Sequence, residues 1–197
     1  MKWLTYRSLL TTVLLLWCLT SFSQKIKFDV YLFSNKIGET VVERRDSAGQ
    51  KIYTLRSITD AKVLFMEKKS VMSTDVRYDR DGKLLSSFFQ NIKNDERFYT
   101  SSVRDGTRYL INKDGEKTVV PAPITYSSIM LYFSEPTDMQ RVYSERVGEF
   151  FQMVRQPDGT YLASLDGHYA SYTYQAGKLV ELELKSSMGS IIMKRAQ

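Results

Sequence analysis

Alternation of apolar and polar residues with a period of two runs through most of this chain and constrains its fold more than any other feature. Ile26, Phe28, Val30 and Leu32 alternate with Lys27, Asp29 and Tyr31. Val71, Ser73 and Asp75 alternate with Met72, Thr74 and Val76, and Ala170, Tyr172 and Tyr174 with Tyr169, Ser171 and Thr173. Successive side chains of a strand point to opposite faces, so this pattern is that of strands with one buried face. Tyr, Phe, Val, Ile and Thr, which suit a pleated surface, fill these segments. A sustained 3.6-residue period is absent from the sequence.

The punctuation agrees. Asp-Gly pairs stand at Asp81-Gly82, Asp105-Gly106, Asp114-Gly115, Asp158-Gly159 and Asp166-Gly167, and Ala48-Gly49, Ala176-Gly177 and Met188-Gly189 add further Gly-centred turns. Such pairs accept the positive φ that tight hairpin turns require. Their spacing is that of a meander of short antiparallel strands. Strands are expected near 25–33, 39–46, 51–59, 61–69, 71–79, 84–93, 96–104, 107–113, 147–155, 160–165, 168–175, 178–186 and 190–195.

Between Val119 and Val147 this rhythm stops. Pro121 and Pro123 cannot donate to a sheet ladder, so the chain is expected to leave the sheet there. Ser127 or Ser128 is placed to cap a short apolar helix near 127–133, which Glu135-Pro136 ends. Thr137-Asp138 is placed to cap another turn running to Arg141-Val142. The expectation is therefore a mainly β fold, an antiparallel meander forming an open barrel or rolled sheet, with one short helix covering a face or plugging an end. A lid over a cavity is the alternative role for that helix.

The first residues follow a different logic. Lys2 and Arg7 precede an apolar run from Leu9 to Leu19, and small Ser21 and Ser23 follow it. That order is the pattern of a secretory leader cut between Ser23 and Gln24, with 24–197 as a single β-rich domain. The run is short of the roughly 20 residues a membrane span needs, which argues against an uncleaved anchor. Leu16 and Trp17 before Cys18 are too large for a lipid-attachment site. Removal of residues 1–23 leaves 174 of 197 residues and lowers the formal net charge from +6 to +4 through loss of Lys2 and Arg7. Trp3, Trp17 and Cys18 leave with the leader, so the mature chain is without Cys or Trp.

That inventory excludes much chemistry. Disulfides and thiolate catalysis need Cys. A serine triad would have to use His168, the single histidine, which follows Asp166-Gly167 at an expected hairpin tip. One His without Cys is too few ligands for a transition-metal site. Asp75, Asp79 and Asp81-Gly82, and Asn112-x-Asp114-Gly115, resemble fragments of a calcium loop, but Arg80, Lys83, Lys113 and Pro121 break the pattern, which leaves hairpin turns. Glu181 and Glu183 share a strand face and alternate with Val180, Leu182 and Leu184, the pattern of a solvated face rather than a carboxylate pair for hydrolysis. Lys and Arg are scattered, so nucleic acid is not an expected partner. No cofactor motif is present.

Aromatic residues carry the remaining signal. Phe88-Phe89, Phe98-Tyr99, Tyr132-Phe133 and Phe150-Phe151 are adjacent pairs, and neighbours on a strand face opposite ways. One face must be core. The other is covered by the helix, a partner or an apolar ligand, or is buried because the sheet closes on itself. A ligand site would be lined by Phe65, Tyr99, Tyr132, Phe133 and Phe150.

Several segments carry a resemblance: Phe28-Asp29-Val30-Tyr31-Leu32-Phe33 with Lys36-Ile37-Gly38, Asp81-Gly82-Lys83-Leu84, Pro123-Ile124-Thr125-Tyr126-Ser127, Leu131-Tyr132-Phe133-x-Glu135-Pro136, Tyr143-Ser144-Glu145, and Tyr172-x-Tyr174-x-x-Gly177-Lys178-Leu179-Val180-Glu181. Together they resemble a family of uncharacterised exported β-proteins of Bacteroidetes, with the block from Pro123 to Pro136 the most specific. The family has no assigned activity, so the resemblance carries over no catalytic residue. Its architecture is similar to open β-barrel lipoprotein carriers of the bacterial envelope, which implies an apolar concave face. The expected function is a non-enzymatic protein of the periplasm or envelope of a Gram-negative bacterium, holding an apolar ligand or lipid in a curved sheet. The alternatives are a structural or protein-interaction module with a solid core, contacting an envelope protein, and a hydrolase built on carboxylates.

Overall fold

The computed structural model describes residues 23–63, 66–121, 123–137, 141–165, 168–186 and 189–196. Fourteen strands form one antiparallel sheet. The first eight are β1 (Ser23–Leu32), β2 (Asn35–Ser47), β3 (Gln50–Val63), β4 (Met66–Tyr78), β5 (Leu84–Lys93), β6 (Glu96–Asp105), β7 (Arg108–Lys113) and β8 (Glu116–Pro121). A 3-10 helix, Ser128–Tyr132, follows. The last six are β9 (Arg141–Ser144), β10 (Glu149–Arg155), β11 (Tyr161–Leu165), β12 (His168–Gln175), β13 (Lys178–Ser186) and β14 (Gly189–Arg195). No helix among the described residues is long and apolar enough to cross a membrane.

Each strand pairs with its sequence neighbours except β8 with β9, and β14 returns to pair with β1. The order across the sheet therefore runs from β8 through β1 and β14 to β9. The two edges, β8 and β9, are consecutive in sequence. The segment between them is the one in which the Asp-Gly rhythm stops, because it must cross from one edge of the sheet to the other.

Alternation produces the buried face as expected. Ile26, Phe28, Val30 and Leu32 on β1 are buried, as are Tyr53 and Leu55 on β3, Val76 and Tyr78 on β4, Tyr161 and Ala163 on β11, and Met193 on β14. Lys25 and Lys27 on β1, Val71 on β4 and Val103 on β6 face outward. The turns follow the glycines. At Asp114-Gly115 both residues have positive φ, 50° and 97°, the pattern of a tight hairpin turn. Asn112 Oδ1 accepts from the Gly115 N–H at 2.9 Å, and Asp79 Oδ1 accepts from the Asp81 and Lys83 N–H groups at 3.0 and 2.9 Å. These Asn112 and Asp79 oxygens, which resembled calcium ligands, thus bond turn backbone, and the Asp75 carboxylate pairs with Arg56 Nη2 at 2.9 Å.

Three differences from the expected elements have physical causes. The strands expected at 51–59, 61–69 and 71–79 are two long ones, β3 and β4. Asp60 does not break β3; it pairs with Lys69 in an unbroken ladder. The strand β8 was not expected because its residues are almost all exposed, as on an edge, and so lack the alternation of a half-buried strand. In place of a helical turn at Arg141-Val142 the chain begins β9; Asp138, its expected cap, lies outside the described residues.

The sheet does not close by hydrogen bonds between β8 and β9. Instead its two ends overlap. Tyr143 on β9 reaches the inner face of β6, where its hydroxyl and that of Ser102 lie 2.7 Å apart. Thr100 Oγ1, also on that face, donates to the Arg146 carbonyl at 2.7 Å. Gly148, with φ +81°, lies so close to β7 that a Cβ there would stand 2.6 Å from Ile111 Cγ2. The β9–β10 hairpin therefore lies inside the β6–β7 wall, and the molecule is a rolled sheet with a seam.

Candidate functional site

Among the described residues, those that seal this seam form a buried polar cluster with a titratable group, Glu145, at its centre. Pro121 and Pro123 release the chain from β8. Ile124 then accepts from the Leu84 N–H at 2.8 Å, and Tyr126 accepts from the Tyr143 N–H at 3.1 Å. Ser127 makes a parallel bridge with Tyr143. These bonds stitch 124–127 between the start of β5 and the free edge of β9, satisfying backbone groups that would otherwise be buried unpaired.

The helix that follows is a 3-10 turn rather than an α-helix. Its buried residues, Ile129, Leu131 and Tyr132, enter the interior of the roll. Ser127 has extended N-cap backbone, φ −139° and ψ 168°, yet makes no capping bond. Its hydroxyl instead accepts from Tyr78 Oη at 2.7 Å. The cap comes from the far side of the seam. Glu145, in the turn between β9 and β10, accepts from the Ser128 hydroxyl and from the Ile129 N–H at 3.3 Å. A helix start leaves N–H groups without partners, and a side-chain oxygen of any origin relieves that.

Glu145 is only 2% exposed. Burial pushes its carboxyl above the usual range, and the Ser127 and Ser128 hydroxyls and the Ile129 N–H pull it partly back. Burial raises the Tyr132 and Tyr172 phenols, and the nearby Glu145 charge raises them further. Tyr78 is raised in the same way, against the opposing effect of its bond to Ser127. The chemistry this arrangement supports is positional: a carboxyl enclosed by hydroxyls and its own chain fixes the helix. A general acid or base must reach a substrate proton, and Glu145 is turned away from solvent. The other carboxylates singled out from sequence are engaged elsewhere. Glu181 pairs with Lys194 at 3.5 Å, and Glu183 accepts from Ser190 Oγ at 2.5 Å.

Of the five residues expected to line a ligand site, four lie among the described residues, at separate places in the roll. Tyr132 packs edge-on against Phe28, ring centroids 5.5 Å apart, inside the roll. Phe133 packs in the same manner on Tyr53, also at 5.5 Å. Phe150 lies in the seam, edge-on to Tyr143 at 5.4 Å, with the Arg141 guanidinium 4.0 Å over its ring. Tyr99 is on the outer face, stacked on Phe88 at 6.4 Å. Phe65 lies outside the described residues. His168 is the first residue of β12, opposite Leu165. On the outer face of β11–β13 an open groove of about 210 Å³ is lined by Leu162, Tyr169, Ala170, Ser171, Glu183 and Lys185.

Sequence reasoning did not single out Glu145 as a site, since no local pattern marks an isolated Glu as a buried cap. Its signal was indirect: Tyr143-Ser144-Glu145 and Pro123–Ser127 are segments that carry the family resemblance, and the fold brings them into contact.

Residues 28–196 match the family model described as a domain of unknown function (DUF6134), and the chain belongs to that family. A solved structure shares the fold: the crystal structure of a beta-barrel-like protein of domain of unknown function DUF1849 from Brucella abortus, with a TM-score of 0.55 and 11% identity, covering 88% of this chain and 95% of that one. At that identity the likeness concerns the fold alone. No curated protein matches the chain.

Proposed function

We propose that this is an exported, non-enzymatic envelope protein whose rolled sheet is a solid structural module making contacts with another protein. The observation that carries the reading is the occupation of the roll by its own chain. Ile129, Leu131 and Tyr132 belong to the same buried cluster as Phe28, Tyr53 and Met193, with Phe133 packed against it. A helix capped from across the seam by Glu145 is built to stay in place rather than to swing as a lid. Export is supported by the basic, apolar and small-residue order of residues 1–23.

The surface that suits a protein contact is the β8 end of the sheet. Val103, Leu110 and Val119 form one cross-strand row on the outer face, 52%, 45% and 56% exposed. The row ends on β8, which pairs with β7 alone among the described strands. An edge strand beside apolar side chains can receive an extended segment by strand addition, the backbone supplying hydrogen bonds and the row supplying side-chain contacts. The apolar-ligand reading keeps one specific support, the outer groove beside Leu162 and Tyr169.

Native mass spectrometry of the protein purified from its own envelope fraction separates the two. The solid-module reading expects the mass of the polypeptide alone, and photo-crosslinks from position 119 to one recurrent protein that Leu110→Asp abolishes. A lipid retained at one per chain, with no crosslink at position 119, overturns it.

A further inference from the structure

We infer that the partner at the β8 edge is a second copy of this chain, joined β8 to β8 about a two-fold axis at Val119. The inference rests on the strand-addition reading proposed for that edge and names its occupant.

The strand stands clear of the rest of the roll. Val120 is half-buried, and the other residues of β8 are exposed, Glu116 and Thr118 on the inner side included. The turn fixes which backbone groups face the free edge. Asp114-Gly115 closes a two-residue hairpin on the pair Lys113–Glu116, so that pair exchanges hydrogen bonds, and bonded pairs alternate from there. Thr118 with Ile111 and Val120 with Tyr109 are bonded pairs by this count. Lys117, Val119 and Pro121 therefore turn their backbone groups away from β7. Pro121 has no N–H to offer, and at this position the β7 ladder loses nothing by it.

A two-fold axis pairs the edge with itself antiparallel, and directly opposed residues then share a face. Lys117 opposite the partner's Lys117 sets like charges against each other. Val119 opposite the partner's Pro121 receives no N–H in return. Val119 opposite the partner's Lys117 places a charged side chain against the apolar row. Val119 opposite the partner's Val119 avoids all three. Each Val119 N–H then donates to the partner's Val119 carbonyl, and each Lys117 N–H to the partner's Pro121 carbonyl, the one bond a proline can still make. The exposed row Val103-Leu110-Val119 runs on across the axis, and the two Val119 side chains pack together. A segment of another protein would need a sequence to match this edge, whereas β8 carries the match itself. The contact also closes. The other edge, β9, is already taken by Ser127 and by the Tyr126 carbonyl, so a pair joined through β8 leaves no long free edge among the described strands.

The test is light scattering on a dilution series of the purified chain, with thiol crosslinking to read the register. The expected mass is that of two chains, falling to one on dilution. Val119→Cys puts two thiols in one opposed pair, with Cα atoms about 5.5 Å apart; Lys117→Cys and Val103→Cys hold theirs beyond the reach of a disulfide. Mild oxidation is expected to join Val119→Cys chains in pairs and to leave the other two variants and the natural chain single. Leu110→Asp and Lys117→Pro are each expected to raise the dissociation constant about tenfold or more. Their circular dichroism should be unchanged, because the Lys117 N–H serves the free edge and Leu110 faces outward. The mass of one chain at every concentration overturns the inference, as does a pair in which Lys117→Cys or Val103→Cys links as fast as Val119→Cys. A monomeric chain that photo-crosslinks from position 119 to a different protein overturns the second copy and leaves strand addition standing. No crosslink from position 119 to any protein overturns both.

Discussion

Replacement of Glu145 is the most informative perturbation, because one residue carries both the helix cap and a buried charge. Glu145→Ala removes the acceptor for the Ser128 hydroxyl and the Ile129 N–H and leaves a gap in a region 2% exposed. Each bond to a carboxylate contributes about 1.5 kcal/mol or more. Two such bonds and the gap give an expected loss of about 3–4 kcal/mol at neutral pH. Glu145→Gln keeps a carbonyl oxygen for the Ile129 N–H and removes the desolvated charge, so its stability should stay within about 1 kcal/mol of the natural chain.

The pH dependence distinguishes the two effects. Burial raises the Glu145 carboxyl in the folded state. Between the unfolded value and the raised folded value the native state holds more protons than the unfolded state, so stability falls as pH rises through that window. Other carboxylates act in the opposite sense: Glu39, held at about 2 by Lys27 and Lys36, adds stability as pH rises. Subtracting the Glu145→Gln curve from the natural one isolates Glu145, and the difference should decline with rising pH from the unfolded carboxyl value upward. Urea unfolding of residues 24–197, followed by far-UV circular dichroism at several pH values, measures this. Parallel curves for the two chains, or a Glu145→Ala variant as stable as Glu145→Gln, would refute the buried-cap account.

Three further outcomes follow, two from the seam and one from the β4–β5 turn. Tyr143→Phe keeps the ring and orphans the Ser102 hydroxyl, so it should cost about 1–2 kcal/mol in urea unfolding; a neutral result would mean that this contact does not hold the overlap. Gly148→Ala combines a positive φ with a 2.6 Å approach to Ile111 Cγ2, and a loss of about 1–3 kcal/mol is expected, with thermal unfolding as the check. Asp79 is held below the usual carboxylate range by the Lys83 N–H and by the Arg104 guanidinium. Its contribution is present above the unfolded value and lost as pH falls through the folded one, so Asp79→Asn should flatten the acid limb of an unfolding titration.

Most of the sheet was legible because alternation and Asp-Gly turns are local. The strands expected at 84–93, 168–175 and 178–186 correspond closely to β5, β12 and β13. The interruption after Val119 was legible too, since Pro121 and Pro123 cannot serve an interior ladder. What those signals lack is the path across the sheet. Phe150 and Phe151 look alike in sequence, yet Phe151 enters the core while Phe150 is taken up by the overlap with Tyr143. Ser127 reads as a cap because caps are usually local. Its hydroxyl bonds Tyr78, 49 residues away, and the cap comes from Glu145, which no local pattern discloses.

The central claim is that residues 123–137 and 141–148 are an integral plug and seam of the roll, not a lid. Native-state hydrogen exchange tests it directly through the amides of Leu84, Ile129, Tyr143 and Gly148, each bonded within or across that segment. The account predicts that these amides exchange only through global unfolding, with the same free energy as β1 and β3 and the same response to denaturant. Exchange of all four at a common, much lower free energy, while β1 and β3 stay protected, would show the segment opening as a unit and would contradict the claim.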